Sequence, residues 1–127
     1  MTPKRVVITG IGAISAFGRD WQCVQAAFQA RQNAVRYMPD YAEFSELEAR
    51  LAAPLAEPYA APKHWTRKQL RSMGLVAQYT VDAAEQALLQ AGLLGSSLIL
   101  NGNMGVSAGS SSGSPADILD VGLLLSK

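Results

Sequence analysis

Two glycine-containing runs are the places where this chain could do chemistry. The first follows the apolar stretch Val6-Val7-Ile8 and reads Thr9-Gly10-Ile11-Gly12-Ala13-Ile14-Ser15, and the second is Gly109-Ser110-Ser111-Ser112-Gly113-Ser114. Glycines at a strand end let backbone pack tightly, and successive backbone amides ahead of a helix attract anions. As a dinucleotide fingerprint, Gly10, Gly12 and Ser15 fit G-x-G-x-x-G only in part, because serine stands in the third glycine position. The second strand that would end in a ribose-binding acid is replaced by a proline-rich stretch. The later run lacks the lysine and the spacing of a P-loop, and no G-x-S-x-G elbow supports a serine hydrolase. Cys23, the one cysteine, falls off the apolar stripe of its helix and reads as a small helix residue rather than a nucleophile. His64, the one histidine, lies between Lys63 and Trp65 after a proline and reads as an exposed loop residue rather than a base.

The elements that must position these runs are legible from period and punctuation. The β-branched run at 6–8 predicts a buried strand. Asp20 stands at an N-cap, and Trp21, Val24 and Phe28 follow at i, i+3 and i+7, predicting a helix over about 20–32. From 33 to 63 the prolines Pro39, Pro54, Pro58 and Pro62 forbid a long helix, leaving room for a short one over 45–53. This stretch reads as an ordered surface excursion, pinned by Tyr37, Tyr41, Phe44 and Tyr59. A long buried helix is predicted from the cap Thr66 to Gly92 on the spacing of Leu70, Met73, Ala77, Val81, Ala84, Leu88 and Ala91. The small residues Gly74, Ala77, Ala84 and Ala91 fit it for close approach to another element. Asn101-Gly102-Asn103 reads as a turn into a second strand at 104–108. Ser114-Pro115-Ala116-Asp117 opens a last helix over 115–126, with serine as the cap and proline at the first helical position. Strands alternating with helices imply an α/β fold with a largely parallel sheet.

Composition narrows the classes further. The 127 residues fit one domain, 49% hydrophobic and 17% charged, an apolar balance that hints at surface awaiting a partner. The net charge of +1 argues against nucleic acid as the main partner, although the basic cluster of Lys63, Arg67, Lys68 and Arg71 leaves room for a local docking patch. One cysteine excludes an internal disulfide and a multi-cysteine zinc site, which fits a reducing compartment. No apolar stretch reaches membrane-spanning length and no signal peptide is evident, so the expectation is a cytoplasmic protein with no membrane insertion, no cofactor and no metal.

On these residues a family resemblance becomes specific. The opening Arg5 to Ser15 resembles the N-terminus of β-ketoacyl-acyl-carrier-protein synthases. The stretch Arg67 to Gly92, with Gln78-Tyr79, Ala83-Ala84 and Ala87-Leu88, is similar to that family's long buried helix. Gly105-Val106-Ser107-Ala108-Gly109-Ser110 matches its next strand, and Gly113-Ser114-Pro115 looks most like the elongating synthases. The resemblance implies a thiolase-like fold of αβαβα layers, with residues 1–127 forming the first part of the N-terminal half. It implies a homodimeric acyltransferase that takes an acyl group from acyl carrier protein onto a cysteine and condenses it with malonyl carrier protein, releasing carbon dioxide. The family's nucleophilic cysteine and two histidines lie beyond this segment, so neither Cys23 nor His64 inherits their roles and no catalytic residue is assigned here; as written, the chain should be inactive. What carries over is the turn Ser111, Ser112 and Gly113, which falls where the family lines its acyl pocket; the small polar Ser112 would suit a short, polar or unsaturated chain. A non-catalytic acyl-binding or interaction module of the same fold is the competing expectation, and a nucleotide-binding oxidoreductase the outlying one.

Overall fold

Several helix ends in this protein are set by local chemistry that the sequence announces, and others by residues far along the chain. In the computed structural model, which describes residues 3–126, the elements are α1 (Trp21–Gln29), β1 (Arg36–Tyr37), β2 (Leu51–Ala52), α2 (Arg67–Arg71), α3 (Leu75–Gln90) and α4 (Pro115–Leu125). Short 3-10 turns add Pro39–Glu43 and Ser97–Ile99. The chain divides into two compact units, one of residues 13–59 and the other joining the residues up to Gly12 with those from Ala60 onward.

The 13–59 unit is organised by α1. Asp20 caps it, its Oδ1 accepting from the Cys23 N–H at 2.7 Å. The helix ends earlier than its apolar spacing suggested, because Arg31 takes a left-handed φ of 52°. That conformation lets the Gln32 and Arg31 amides donate to the Ala27 and Phe28 carbonyls, the paired bonds of a Schellman end. Val24 and Ala27 are the buried positions, whereas Phe28 stays largely exposed and meets Phe17 and Trp21 edge to face. In the excursion, the expected helix over 45–53 does not form. Leu51 and Ala52 pair instead with Tyr37 and Arg36 in a small antiparallel ribbon, and ribbon pairing is incompatible with helical dihedrals at 51–52. Of the aromatics expected to pin it, Tyr59 carries the Arg19 guanidinium over its ring, while Tyr37 and Phe44 are mostly exposed.

In the other unit the long helix is present but broken. Thr66 forms a full capping box with Gln69, its N–H donating to Gln69 Oε1 at 2.8 Å. The helix then stops at Ser72 and restarts after Gly74, whose extended backbone makes it the N-cap of α3. Gln78 Nε2 donates to the Met73 carbonyl and satisfies an acceptor that the break leaves without a helical partner. At its far end α3 closes on Gly92 at φ 68°, with Leu93 and Gly92 donating to the Leu88 and Leu89 carbonyls. This is the glycine end the sequence announced. Asn101-Gly102-Asn103 is a turn, the Asn103 N–H donating to Asn101 Oδ1 at 3.0 Å.

The two strand segments differ from expectation. Neither 6–8 nor 104–108 makes ladder hydrogen bonds among the described residues. Val6, Ile8 and Val106 are 94%, 82% and 93% exposed. A segment apolar on both faces records what should cover it, but it becomes a strand only where neighbouring backbone supplies donors and acceptors.

Candidate functional site

The glycine pair of the opening run serves packing. A Cβ on Gly12 would overlap the carbonyl of Ala83, and one on Gly10 would overlap that of Ala87 and crowd the Ala91 amide. The segment therefore lies directly on the backbone of α3, and the Ile11 N–H donates to Gln90 Oε1 at 2.6 Å. Of the small residues expected to permit a close approach, Gly74, Ala77, Ala84 and Ala91, the segment meets only Ala91, at the end of α3; Ala83 and Ala87 carry the rest of the contact, and Gly74 lies against Ser114 and Asp117 instead. A glycine pair pressed onto helix carbonyls is not presenting amides to a pyrophosphate, which removes the physical basis of the dinucleotide reading.

Across the other end of α3 lies an open groove of about 400 Å³. One wall is the first two turns of α3, with Val76, Ala77, Thr80 and Val81, and the other is the segment from Ala108 to Ser114. Of the expected acyl-pocket residues, Gly113 lines this groove with a left-handed φ of 63°, while Ser111 and Ser112 form the exposed bend before it. The bend is closed from inside, the Gly113 N–H donating to Ser110 Oγ at 3.0 Å. Ser114 holds the N-cap position of α4, as expected, but its hydroxyl makes no capping bond there. It accepts instead from the Val76 N–H at 3.3 Å, on the first turn of α3. Gly74 cannot cap with a side chain it lacks, so α3 borrows its cap from the segment that follows the serine run.

The residues with familiar catalytic chemistry are elsewhere. Cys23 is exposed, and its thiol is pushed up from 9.0 by the side-chain hydrogen bond to Asp20, with desolvation adding to the shift. Asp20 is held below the usual carboxylate range, chiefly by the Cys23 N–H. A thiol beside a carboxylate resists ionisation even on the first turn of a helix, the opposite of what a nucleophile needs. We expect Asp20→Ser, which keeps an oxygen at the cap without the charge, to speed iodoacetamide alkylation of Cys23 several-fold at pH 8. An unchanged rate would show that Asp20 does not control the thiol. Because the folded carboxyl is depressed, the cap it provides is present above the unfolded carboxylate pKa and is lost as pH falls through the folded one.

His64 is an exposed loop residue, as expected, yet it has a partner the sequence did not reveal. Its Nε2 lies 2.7 Å from Glu85 Oε1, and Trp65 Nε1 donates to Glu85 Oε2 at 3.2 Å, so one carboxylate ties the 62–66 turn to α3. Asp82, one helical step away, is buried and accepts from Gln86 Nε2 at 3.1 Å. The i, i+4 ladder of Gln78, Asp82 and Gln86 was the available signal for this polar face. No cluster of three metal-ligating side chains occurs among the described residues.

This chain, with its glycine-bearing segment laid on a long helix and its serine-glycine turn facing that helix across a groove, has the thiolase-like α/β fold on the strength of its match in both sequence and structure to β-ketoacyl synthases. The family model for the β-ketoacyl synthase N-terminal domain matches residues 3–122, and the chain belongs to this family. It is 29% identical over 111 residues to 3-oxoacyl-[acyl-carrier-protein] synthase 1 of Haemophilus influenzae, covering 87% of this chain and 26% of that protein. It superposes on the crystal structure of a β-ketoacyl synthase from Burkholderia phymatum STM815 with a TM-score of 0.84 at 50% identity, covering 98% of this chain and 30% of that one. The chain thus spans about a quarter to a third of the length of these relatives.

Proposed function

We propose that this chain supplies the N-terminal portion of a 3-oxoacyl-acyl-carrier-protein synthase, which condenses an acyl group with malonyl-acyl carrier protein and releases carbon dioxide in fatty-acid or polyketide-type elongation. The family match across residues 3–122 carries the reading. In this proposal the enzyme is a cytoplasmic homodimer. Ser111, Ser112 and Gly113 border the acyl site, and the nucleophile and proton-handling groups come from outside these residues. The protected thiol of Cys23 agrees with that division of labour. No helix among the described residues is long and apolar enough to cross a membrane.

A second observation supports acyl carrier protein as the partner. Lys63, Arg67, Lys68 and Arg71 are exposed on α2 and the turn before it, and none of them makes an ion pair among the described residues. Such a surface selects an anionic partner and raises its rate of encounter. In this proposal acyl carrier protein is the partner that meets that requirement.

The test is a titration of the full chain with acyl-loaded carrier protein, followed by mass spectrometry. Binding should weaken with salt, and the combined variant Arg67→Glu, Lys68→Glu, Arg71→Glu should lower low-salt affinity by roughly tenfold or more. Unchanged affinity in that variant would exclude α2 as the docking surface. An acyl adduct on Cys23 would overturn the assignment of the nucleophile to residues outside this chain.

A further inference from the structure

We propose that Ser114 is a positioning residue, whose hydroxyl ties the serine-glycine turn to the first turn of α3 and so sets the depth of the groove between them. The inference rests on the reading of that groove as an acyl site and adds to it the residue that fixes which chain length fits. Ser114 sits between two helix beginnings. It is the N-cap residue of α4 by position, yet its Oγ accepts from the Val76 N–H of α3 at 3.3 Å and makes no capping bond to its own helix. Gly74 makes room for this exchange, since a Cβ there would overlap Ser114 Oγ and Asp117 Oδ2. Directly before Ser114 the backbone passes through the left-handed Gly113 and the Gly113-to-Ser110 bond, so displacement of Ser114 carries the bend with it. Val76 and Ser114 both line the groove. The bond that joins them is therefore the brace between its two walls.

Without the hydroxyl, the turn is free to lift from α3 and the groove to deepen, so longer apolar chains gain relative to shorter ones. Ser114→Ala should raise the amide hydrogen exchange of Val76 roughly fivefold, the loss of one ordinary hydrogen bond. Ser114→Thr, which keeps the hydroxyl, should restore it. Hexanoate and dodecanoate, titrated into the full chain and followed by amide chemical shifts, read the groove. The ratio of dodecanoate to hexanoate affinity should rise in Ser114→Ala and return in Ser114→Thr, whereas a merely structural loss would weaken both acids together. Gly74→Ala pushes the same contact apart from the other side and should shift the ratio in the same direction, which keeps the test available if Ser114→Ala folds poorly. Unchanged Val76 exchange, or raised exchange with an unchanged ratio, overturns the positioning role while leaving the acyl site standing. If the wild-type chain binds neither acid, the acyl reading of the groove falls and this inference falls with it.

Discussion

Gly12→Ala should destabilise the protein by about 3 kcal/mol. The added Cβ would fall on the Ala83 carbonyl, which belongs to the backbone of α3 and cannot swing aside as a side chain would. Relief requires the 10–12 segment to lift from the helix. That movement also separates Gly10 from the Ala87 carbonyl and lengthens the 2.6 Å bond from the Ile11 N–H to Gln90. Gly105 is the natural control, because a Cβ there meets nothing within 4 Å and its backbone is not left-handed. Thermal or urea unfolding followed by circular dichroism should show a large loss for Gly12→Ala and almost none for Gly105→Ala. Equal midpoints for the two variants would mean that the segment does not lie on α3 in solution.

The second large effect is self-association. Val6, Ile8, Leu100 and Val106 are each more than 80% exposed, and the apolar residues of α4 from Ile118 to Leu125 are more than half exposed. Uncovered β-branched segments without ladder partners present free backbone donors and acceptors together with apolar side chains, the combination that recruits further strands. The chain on its own should therefore sediment as concentration-dependent oligomers. Val6→Lys with Val106→Lys should shift the distribution strongly toward monomer, because charge on an open strand edge opposes pairing. A wild-type chain that sediments as a compact monomer and unfolds cooperatively would refute this expectation. The same segments would be protected if a partner polypeptide supplied backbone partners and apolar cover for them, so loss of association on adding such a partner is the complementary result.

Signals in the sequence hold where their cause is local. Asp20, Thr66, Gly92 and the Asn101-Gly102-Asn103 turn each act through atoms within a few residues, and each does in the structure what its residue type announces. The family was legible for a different reason: its motifs combine glycines, small helix residues and a serine-glycine turn in a fixed order, which few other folds require together. The readings that differ depended on distant atoms. The break at Gly74 was hidden inside a continuous apolar period, because it exists to admit Ser114 and Asp117 from a segment far along the chain. The ribbon of β1 and β2 displaced a short helix that propensity alone allowed.

The candidate site divides in the same way. The residues of the serine-glycine turn could be named from sequence, but the groove beside Gly113 and the partner of Ser114 could not, since both are made by α3. By itself the sequence determined helix caps, turns, the glycine positions and family membership, because these follow from short-range dihedral preferences and residue order. Only tertiary structure decided that Gly10 and Gly12 serve a helix rather than a nucleotide, that Ser114 caps its neighbour, and that Glu85 holds His64 and Trp65. Each of those outcomes depends on which backbone or carboxylate arrives within about 3 Å, the range of a hydrogen bond or a hard contact. Residue order along the chain does not contain that distance until the chain has folded.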